Sequence, residues 1–392
     1  MKIIQYCQHV LGVGHLFRSL EISRALSGHD VVLVTGGPPV EMELPRHVRE
    51  FRLPDLQMDH DFQGLFSSRE DLTVDQVKEE RRKSLLALFE REMPDLFLVE
   101  LYPFGRKAFR FELDPVLKVL REEKQRCCTV ISSVRDILVE KNDHGKHEAR
   151  VVKTLNRYFD GVLVHGDPDL VEIRETFGPF DEIRIPVEYT GYIAPGPPAG
   201  ARQTVRRHLR LSDEDALIVA SAGGGNVGAR LLKSVLRAFG RMKTERCRLQ
   251  VFTGPFLDAG DFEELDKAAP AGVVVDRFAP DFISYLAAAD LSVSMGGYNT
   301  TMNIMATRVP ALLWPFSQNR EQRLRARRLA ERGLLTVIED ADLKPDRLAT
   351  KMDHELARSN RPAATINLNG AATTAACIRG WKTKYRGKSD AF

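Results

Sequence analysis

The chain has 392 residues, 28% of them charged, and a formal net charge of +3. That length exceeds what one hydrophobic core ordinarily supports, so two domains are expected, and the near-balanced charge gives no reason to expect nucleic acid as the main partner. The five cysteines (Cys7, Cys127, Cys128, Cys247 and Cys377) are scattered without a C-x-x-C pair, which argues against a disulfide framework or zinc site and for a reducing cytosol.

No apolar run approaches the roughly 18 residues a spanning helix needs. The opening Met1-Lys2-Ile3-Ile4-Gln5-Tyr6 enters a strand pattern without the apolar core of a signal peptide, and peripheral contact at the inner membrane face stays open. The run Arg323, Arg325, Arg327, Arg328, Arg332 reads as a solvated helix face.

In chain order, residues 2–6 read as a strand, 16–26 as a helix and 31–35 as a buried parallel strand ending at Gly36-Gly37-Pro38-Pro39. Residues 54–70 lose all periodicity and read as a loop. A long charged helix follows at 74–92, then a strand at 95–101, a helix at 116–123, a strand at 129–133, a helix at 148–158 and a strand at 161–164. The Pro/Gly-dense stretch 189–200 reads as a linker. Beyond it come strands at 216–220, 248–253, 273–276, 291–295 and 311–314. Helices are expected at 229–239, 282–288, 301–306 and 321–332.

Repeated β-α units with purely apolar strands predict an α/β protein made of two doubly wound parallel-sheet domains with a cleft between them. The boundaries read as 1–190, a linker at 191–203, a second domain at 204–362, and a segment at 363–392. The last is expected to cross back to the first domain as a helix over 363–381, with a frayed tail from 382.

Three glycine-bearing turns each lie between an expected strand and an expected helix. They are Leu11-Gly12-Val13-Gly14-His15, Ser221-Ala222-Gly223-Gly224-Gly225-Asn226-Val227-Gly228 and Met295-Gly296-Gly297-Tyr298-Asn299-Thr300. Glycine lets a ligand approach the backbone, and a helix start offers unpaired N–H groups and partial positive charge. Such turns hold phosphate without Lys or Arg. Tight packing, or capping of the next helix by Asn299, Thr300 or Thr301, is the competing reading. The Walker spacing is absent, which disfavours a nucleoside triphosphatase. His15 opens a helix, a setting that lowers imidazole pKa and favours a neutral base; His9 is the weaker alternative. Strand ends of the first half also carry Glu100, Tyr102, Arg106, Arg135, Asp136, His165 and Asp167, together a reasonable acceptor pocket. The D-x-D pairs at 213–215 and 340–342 fall in loops, so no metal site is expected.

With these turns placed, the chain resembles the GT-B glycosyltransferases, specifically the glycosyltransferase 28 group. The resemblance is carried by Ala289-Asp290-Leu291-Ser292-Val293-Ser294-Met295-Gly296-Gly297-Tyr298-Asn299-Thr300-Thr301, by Val309-Pro310-Ala311-Leu312-Leu313-Trp314-Pro315, and by Glu321-Gln322. Gly223-Gly224-Gly225 looks like the group's diphosphate loop, Gly12 to His15 like its N-terminal turn, and Thr190-Gly191-Tyr192 like its interdomain junction. Glu100-Leu101-Tyr102-Pro103-Phe104-Gly105-Arg106 is similar to bacterial glycosyltransferases of unassigned acceptor.

The resemblance implies inverting transfer from a nucleotide-diphosphate sugar, UDP-linked by first expectation, without a cofactor or a metal in the chemical step. It implies Gly223, Gly224, Gly225, Asn226, Gly296, Gly297, Asn299 and Thr300 around the diphosphate and Phe278 and Ala279 at the nucleobase. Glu321 and Gln322 would face the donor sugar, and His15 would be the base beside an acceptor side of Gly14, Glu100, Arg106, Asp136 and His165. The group often binds ribose through a Glu; here Asn303 takes that position and lacks the charge-assisted strength. Retaining relatives pair two Glu near this site, and residues 295–310 contain none.

Two further readings stay open. One is a sugar-nucleotide epimerase of the same architecture, which requires paired carboxylates. The other is a non-catalytic sugar-nucleotide-binding partner subunit. A dehydrogenase is disfavoured, because the first turn lacks the full G-x-G-x-x-G.

Overall fold

The computed structural model describes residues 1–9, 14–58, 64–69, 71–122, 128–138, 144–225, 227–358 and 365–385. The chain divides into two compact units, Met1–Ile193 with Asn369–Phe392, and Ala194–Leu368.

The first unit begins β1 (Lys2–Tyr6), α1 (Gly14–Ala25), β2 (Asp30–Thr35), β3 (Val48–Arg52), then a short antiparallel pair, β4 (Gln57–Met58) and β5 (Leu65–Phe66). It continues through α2 (Val74–Glu92), β6 (Leu96–Glu100), α3 (Arg110–Glu122), β7 (Thr129–Arg135), α4 (His144–Tyr158), β8 (Gly161–His165) and β9 (Val187–Tyr189). Seven strands form one parallel sheet in the order β3-β2-β1-β6-β7-β8-β9.

Successive strand residues face opposite sides, and the core splits accordingly. Ile4, Tyr6, Phe97 and Val99 pack with α2 and α3 side chains such as Leu85, Phe89, Leu113 and Leu117. Ile3, Val31, Leu33, Leu96 and Leu98 pack on the other face with Leu16 and Ile22 of α1. Both faces are covered, which is why these strands read as unbroken apolar runs.

The second unit runs α5 (Ala201–His208), β10 (Ala216–Ser221), α6 (Ala229–Phe239), β11 (Cys247–Phe252), α7 (Ala259–Lys267), β12 (Val273–Asp276) and α8 (Phe282–Ala288). Then follow β13 (Leu291–Met295), α9 (Tyr298–Thr307), β14 (Ala311–Trp314), α10 (Arg320–Glu331), β15 (Thr336–Val337) and α11 (Pro345–Ala357). Its sheet is parallel, ordered β12-β11-β10-β13-β14-β15. The final helix, α12 (Gly370–Tyr385), belongs to the first unit, where Ala375, Ile378 and Trp381 join the α1 face of the core. Ile193 and Asn369 bridge to each other, so the outgoing and returning chain pass side by side.

Several expected bounds shift. The strand expected at 95–101 is β6, Leu96–Glu100, and α3 starts at Arg110, six residues ahead of the expected 116 and through Pro115. The expected loop at 54–70 holds the β4–β5 pair. The terminal helix starts at Gly370 rather than 363 and continues to Tyr385; residues 363, 364 and the tail from 386 lie outside the described residues.

Trp381 is 4% exposed and lies against Gly161 so closely that a Cβ built there would fall 2.0 Å from its ring. Trp381→Ala is therefore expected to weaken the first unit by about 3–5 kcal/mol, the usual cost of removing a buried Trp. A urea transition followed by far-ultraviolet circular dichroism measures it, and an unchanged midpoint would mean that α12 contributes no packing.

Candidate active site

In the second unit the strand order reverses at β10: β11 lies on one side and β13 on the other, with Ser221 beside Ser294. Ligands of doubly wound sheets bind outside the carboxyl ends of strands at such a point. The second and third glycine turns both leave from it. A Cβ built on Gly223 would lie 3.7 Å from Thr300 Oγ1, so the two turns are neighbours.

Gly225 has φ +95, and a Cβ there would meet Thr253 O at 2.7 Å and Leu257 N at 2.8 Å. Only glycine fits that backbone and that space. The Phe256 N–H donates to Gly224 O at 3.1 Å, bracing the loop from the β11 side. Asn226 lies outside the described residues.

Helix α6 opens after Gly228 and α9 after Gly297, and neither N-cap residue supplies a side-chain cap. First-turn amides of a helix lack intrahelical partners, and the helix dipole adds positive potential there. The cap of α9 is Gly297, so Asn299, Thr300 and Thr301 sit inside the first turn and do not precede it as caps. Two amides are already used: the Gly223 N–H donates to Ser221 Oγ at 3.1 Å, and the Gly296 N–H to Trp314 O at 3.0 Å.

Around this rim, Gln322 accepts from the Phe316 N–H through Oε1 at 2.9 Å, which orients its amide beside Gly296. Glu321 turns inward: it is 4% exposed and paired with Arg325 at 2.8 Å, and the Arg325 guanidinium lies 4.9 Å from the Tyr298 ring centre. Phe278 is 53% exposed. Ala279 and Asn303 are half-buried.

The first unit has the same reversal, at β1, flanked by β2 and β6. Its first glycine turn, residues 11–13, lies outside the described residues; Gly14 opens α1 and His15 follows. His15 Nδ1 lies 2.9 Å from Glu100 Oε1 at the end of β6, and Arg18, one turn further along α1, bonds the same oxygen. The second carboxylate oxygen accepts from Ser133 Oγ at 2.7 Å. Ser133 Oγ is also 2.8 Å from His165 Nε2, and His165 Nδ1 is 2.9 Å from Thr190 Oγ1.

Burial would raise the Glu100 carboxyl, but the Arg18 charge and the His15 hydrogen bond outweigh it and hold the group well below the usual carboxylate range. Two groups meet Nδ1: the ionised Glu100 carboxylate at 2.9 Å, which accepts only, and Arg18 Nη2 at 3.0 Å, which donates only. The shorter contact to the carboxylate assigns the proton to Nδ1 and leaves Nε2 with a lone pair. Burial first, then the Arg106 charge, hold His15 well below the ordinary histidine value; Glu100 opposes them, and Arg18 and Arg135 add to them. The lowering expected at a helix start is found, but its causes are burial and arginines.

Of the other first-unit candidates, His165 is fully buried, with burial pushing it down to about 3. Asp136 is fully buried and accepts from the Tyr192 hydroxyl at 2.9 Å. His9 is 2% exposed, with Nε2 2.9 Å from Pro38 O. Arg106 is half-buried, with φ +56 and a buried Nε that has no hydrogen-bond partner among the described residues. Sequence reasoning passed over Arg18 and Ser133. The i+3 spacing of Arg18 from His15 on one helix was the available signal for the first; no local signal marks the second.

Among the described residues, no helix is long and apolar enough to cross a membrane. Residues 221–376 match the glycosyltransferase family 28 C-terminal domain. Over 151 residues the chain is 30% identical to the UDP-N-acetylglucosamine--N-acetylmuramyl-(pentapeptide) pyrophosphoryl-undecaprenol N-acetylglucosamine transferase of Desulforudis audaxviator, covering 36% of this chain and 40% of that protein. It is 23% identical over 179 residues to an uncharacterised glycosyltransferase of Methanopyrus kandleri, covering 46% and 49%. The chain thus spans less than half the length of these relatives. Among solved structures, it resembles Acinetobacter baumannii MurG (TM-score 0.57, 14% identity, 97% and 99% coverage). It also resembles the calicheamicin glycosyltransferase CalG4 (TM-score 0.58, 17% identity, 98% of each chain). Residues 221–376 therefore match a glycosyltransferase family 28 C-terminal domain, on a chain with the GT-B fold.

Proposed function

We propose that the protein transfers a sugar from a nucleoside-diphosphate sugar to an acceptor hydroxyl, with inversion at the anomeric carbon. The observation that carries this reading is the pairing of His15 with an ionised Glu100 across the strand-order reversal of the first unit. We propose that the donor is held by the second unit, through its two glycine-led helix starts side by side.

In the proposed step, the acceptor hydroxyl gives its proton to His15 Nε2 as its oxygen bonds to the anomeric carbon. The bond from that carbon to the diphosphate oxygen breaks, and its electron pair leaves with the diphosphate. Negative charge grows on the leaving group, where first-turn amides of α6 and α9 stabilise it. Glu100 stabilises the imidazolium, as a buried carboxylate does for a base histidine. A single displacement inverts the centre.

UDP is the expected nucleotide, because the relatives of this domain are named for UDP-N-acetylglucosamine. The acceptor is a hydroxyl compound outside what the second unit specifies. An epimerase is less well supported: Glu100 is engaged with Arg18 and His15, and Asp136 with Tyr192.

A thermal-shift panel of UDP-, GDP-, ADP- and TDP-sugars identifies the donor by mass action. With that donor, His15→Ala is expected to lower turnover about 10²–10⁴-fold, the range for losing a general base. Calorimetry is expected to find nucleotide affinity unchanged. Full activity in the variant would remove His15 from the chemistry, and a wild type that binds the donor yet never turns over would favour a binding subunit.

Because His15 is held below its usual value, the acid limb of kcat/KM in the free enzyme is expected below pH 6.5. Arg106→Gln removes the largest charge opposing protonation, so the limb is expected to move to higher pH. A limb that stays in place or moves lower would contradict this origin of the shift.

Gly225→Val is expected to weaken UDP binding at least about tenfold, since the bulk at that position displaces the loop. Calorimetry with UDP reads it directly, and unchanged affinity would separate the glycine loop from the diphosphate.

A further inference from the structure

Behind the His15–Glu100 pair lies a row of polar side chains that the transfer step does not touch. Ser133 ends its exposure at 1%, and His165 and Thr190 at 0%. They come from β7, β8 and the residue following β9, three successive positions away from β6. Ser133 Oγ lies 2.7 Å from Glu100 Oε2 and 2.8 Å from His165 Nε2, and His165 Nδ1 lies 2.9 Å from Thr190 Oγ1.

The protons in this row have one consistent arrangement. Glu100 is ionised and can only accept, so the single Ser133 hydroxyl proton points to Oε2. Ser133 Oγ can then only accept from His165, which places the ring proton of neutral His165 on Nε2. His165 Nδ1 is left as an acceptor, so Thr190 donates to it. Longer contacts of Thr190 Oγ1, 3.2 Å to Gly191 O and 3.4 Å to Val164 O, compete weakly. Every bond therefore runs one way, from Thr190 to Glu100.

We propose that Ser133 and His165 are positioning residues for the base: they hold the second oxygen of Glu100, so that its first oxygen keeps His15 in the Nδ1–H tautomer. The inference rests on the reading of His15 as the base, but its structural content is measurable without turnover. An unrestrained carboxylate would rotate toward Arg18, and His15 would lose the partner that selects its tautomer. A hydrogen bond to a charged group contributes more than a neutral one, so the effect is not expected to vanish into the network.

The test uses the full chain with ¹⁵N-labelled histidine, reading the His15 ring nitrogens by NMR near neutral pH. Wild type is expected to show His15 with an unprotonated Nε2. In Ser133→Ala, the two ring nitrogens are expected to drift toward a tautomeric average, with kcat falling about tenfold and KM little changed. Ser133→Thr keeps the hydroxyl and is expected to restore the wild-type spectrum. His165→Gln places an amide N–H near Nε2 and a carbonyl near Nδ1, and is expected to behave as wild type, whereas His165→Leu is expected to resemble Ser133→Ala. Thr190→Val tests the far end should either variant fail to fold, with a smaller drift in the same direction.

An unchanged His15 tautomer in folded Ser133→Ala, His165→Leu and Thr190→Val would overturn the proposal, as would a His165→Gln variant as perturbed as His165→Leu. If the tautomer responds as expected while His15→Ala retains full turnover, the positioning chain stands and the base assignment falls.

Discussion

The constraint on which the rest depends is the reversal of strand order beside the first strand of each sheet. The chain builds outward from β1 through β2 to β3, then returns to β6 on the other side; β10, β11, β12 and β13 repeat the pattern. The loops leaving β1 and β6 lead to helices on opposite faces, since α1 packs with Ile3 and Leu33 while α3 packs with Ile4 and Phe97. Two loops that diverge from adjacent strand ends leave a notch between them. No side chain has to be invoked to create it. The two units fill their notches differently. In the second unit the notch is rimmed by glycines and helix starts, groups that meet an anion with backbone alone. In the first it is rimmed by charged side chains that meet each other.

Burying a carboxylate beside a sheet is costly unless it is paired and fully hydrogen-bonded. Glu100 meets that condition with Arg18, His15 and Ser133. A second buried pair stands behind it. Arg81 bonds Glu112 through Nε and Nη2 at 2.8 and 2.7 Å, with both side chains fully buried. The same guanidinium donates to Gly36 O, Pro54 O and Gln8 Oε1. Those three acceptors lie just past the ends of β2, β3 and β1. One ion pair therefore ties the three carboxyl-end loops on one side of the notch, and the other pins its centre. A rigid rim of this kind is what a base held to one geometry requires.

The strands and the donor-side turns were legible because their signals are local. Short runs such as Leu291 to Met295, apolar apart from Ser292 and Ser294 and followed by glycine, name a buried parallel strand and the turn after it. Polar elements were less visible. β3 reads Val-Arg-Glu-Phe-Arg and buries only its first residue, as an edge strand can. α5 buries Ala201, Val205 and Arg206 within a strongly charged sequence, and α11 buries Leu348, Ala349 and Met352 among charges. The helix expected at 116–123 begins at Arg110, with Pro115 inside it. At the site, His15 and Glu100 were named separately, because 85 residues separate them and only the β1–β6 pairing joins them. Glu321 turns inward onto Arg325, four residues along the same helix, so this arginine is buried and not part of a solvated face. The burial of His165 depends on Ser133 and Thr190, far from it in sequence.

The arginines around His15 carry a consequence for a base in that position. A base must be neutral when the acceptor arrives and must hold a proton only briefly. Burial first, then Arg106, Arg18 and Arg135, disfavour the imidazolium, while Glu100 favours it. Their opposition leaves the ring neutral well below the ordinary histidine range without separating it from its carboxylate. Without the arginines, burial alone would have to oppose the pull of Glu100 toward the protonated ring. A histidine with the arginines alone would be neutral but unoriented, and the ion it forms would have no partner. Placing both influences on one ring separates the two tasks: burial and the arginines set when it is neutral, and the carboxylate sets where its lone pair lies.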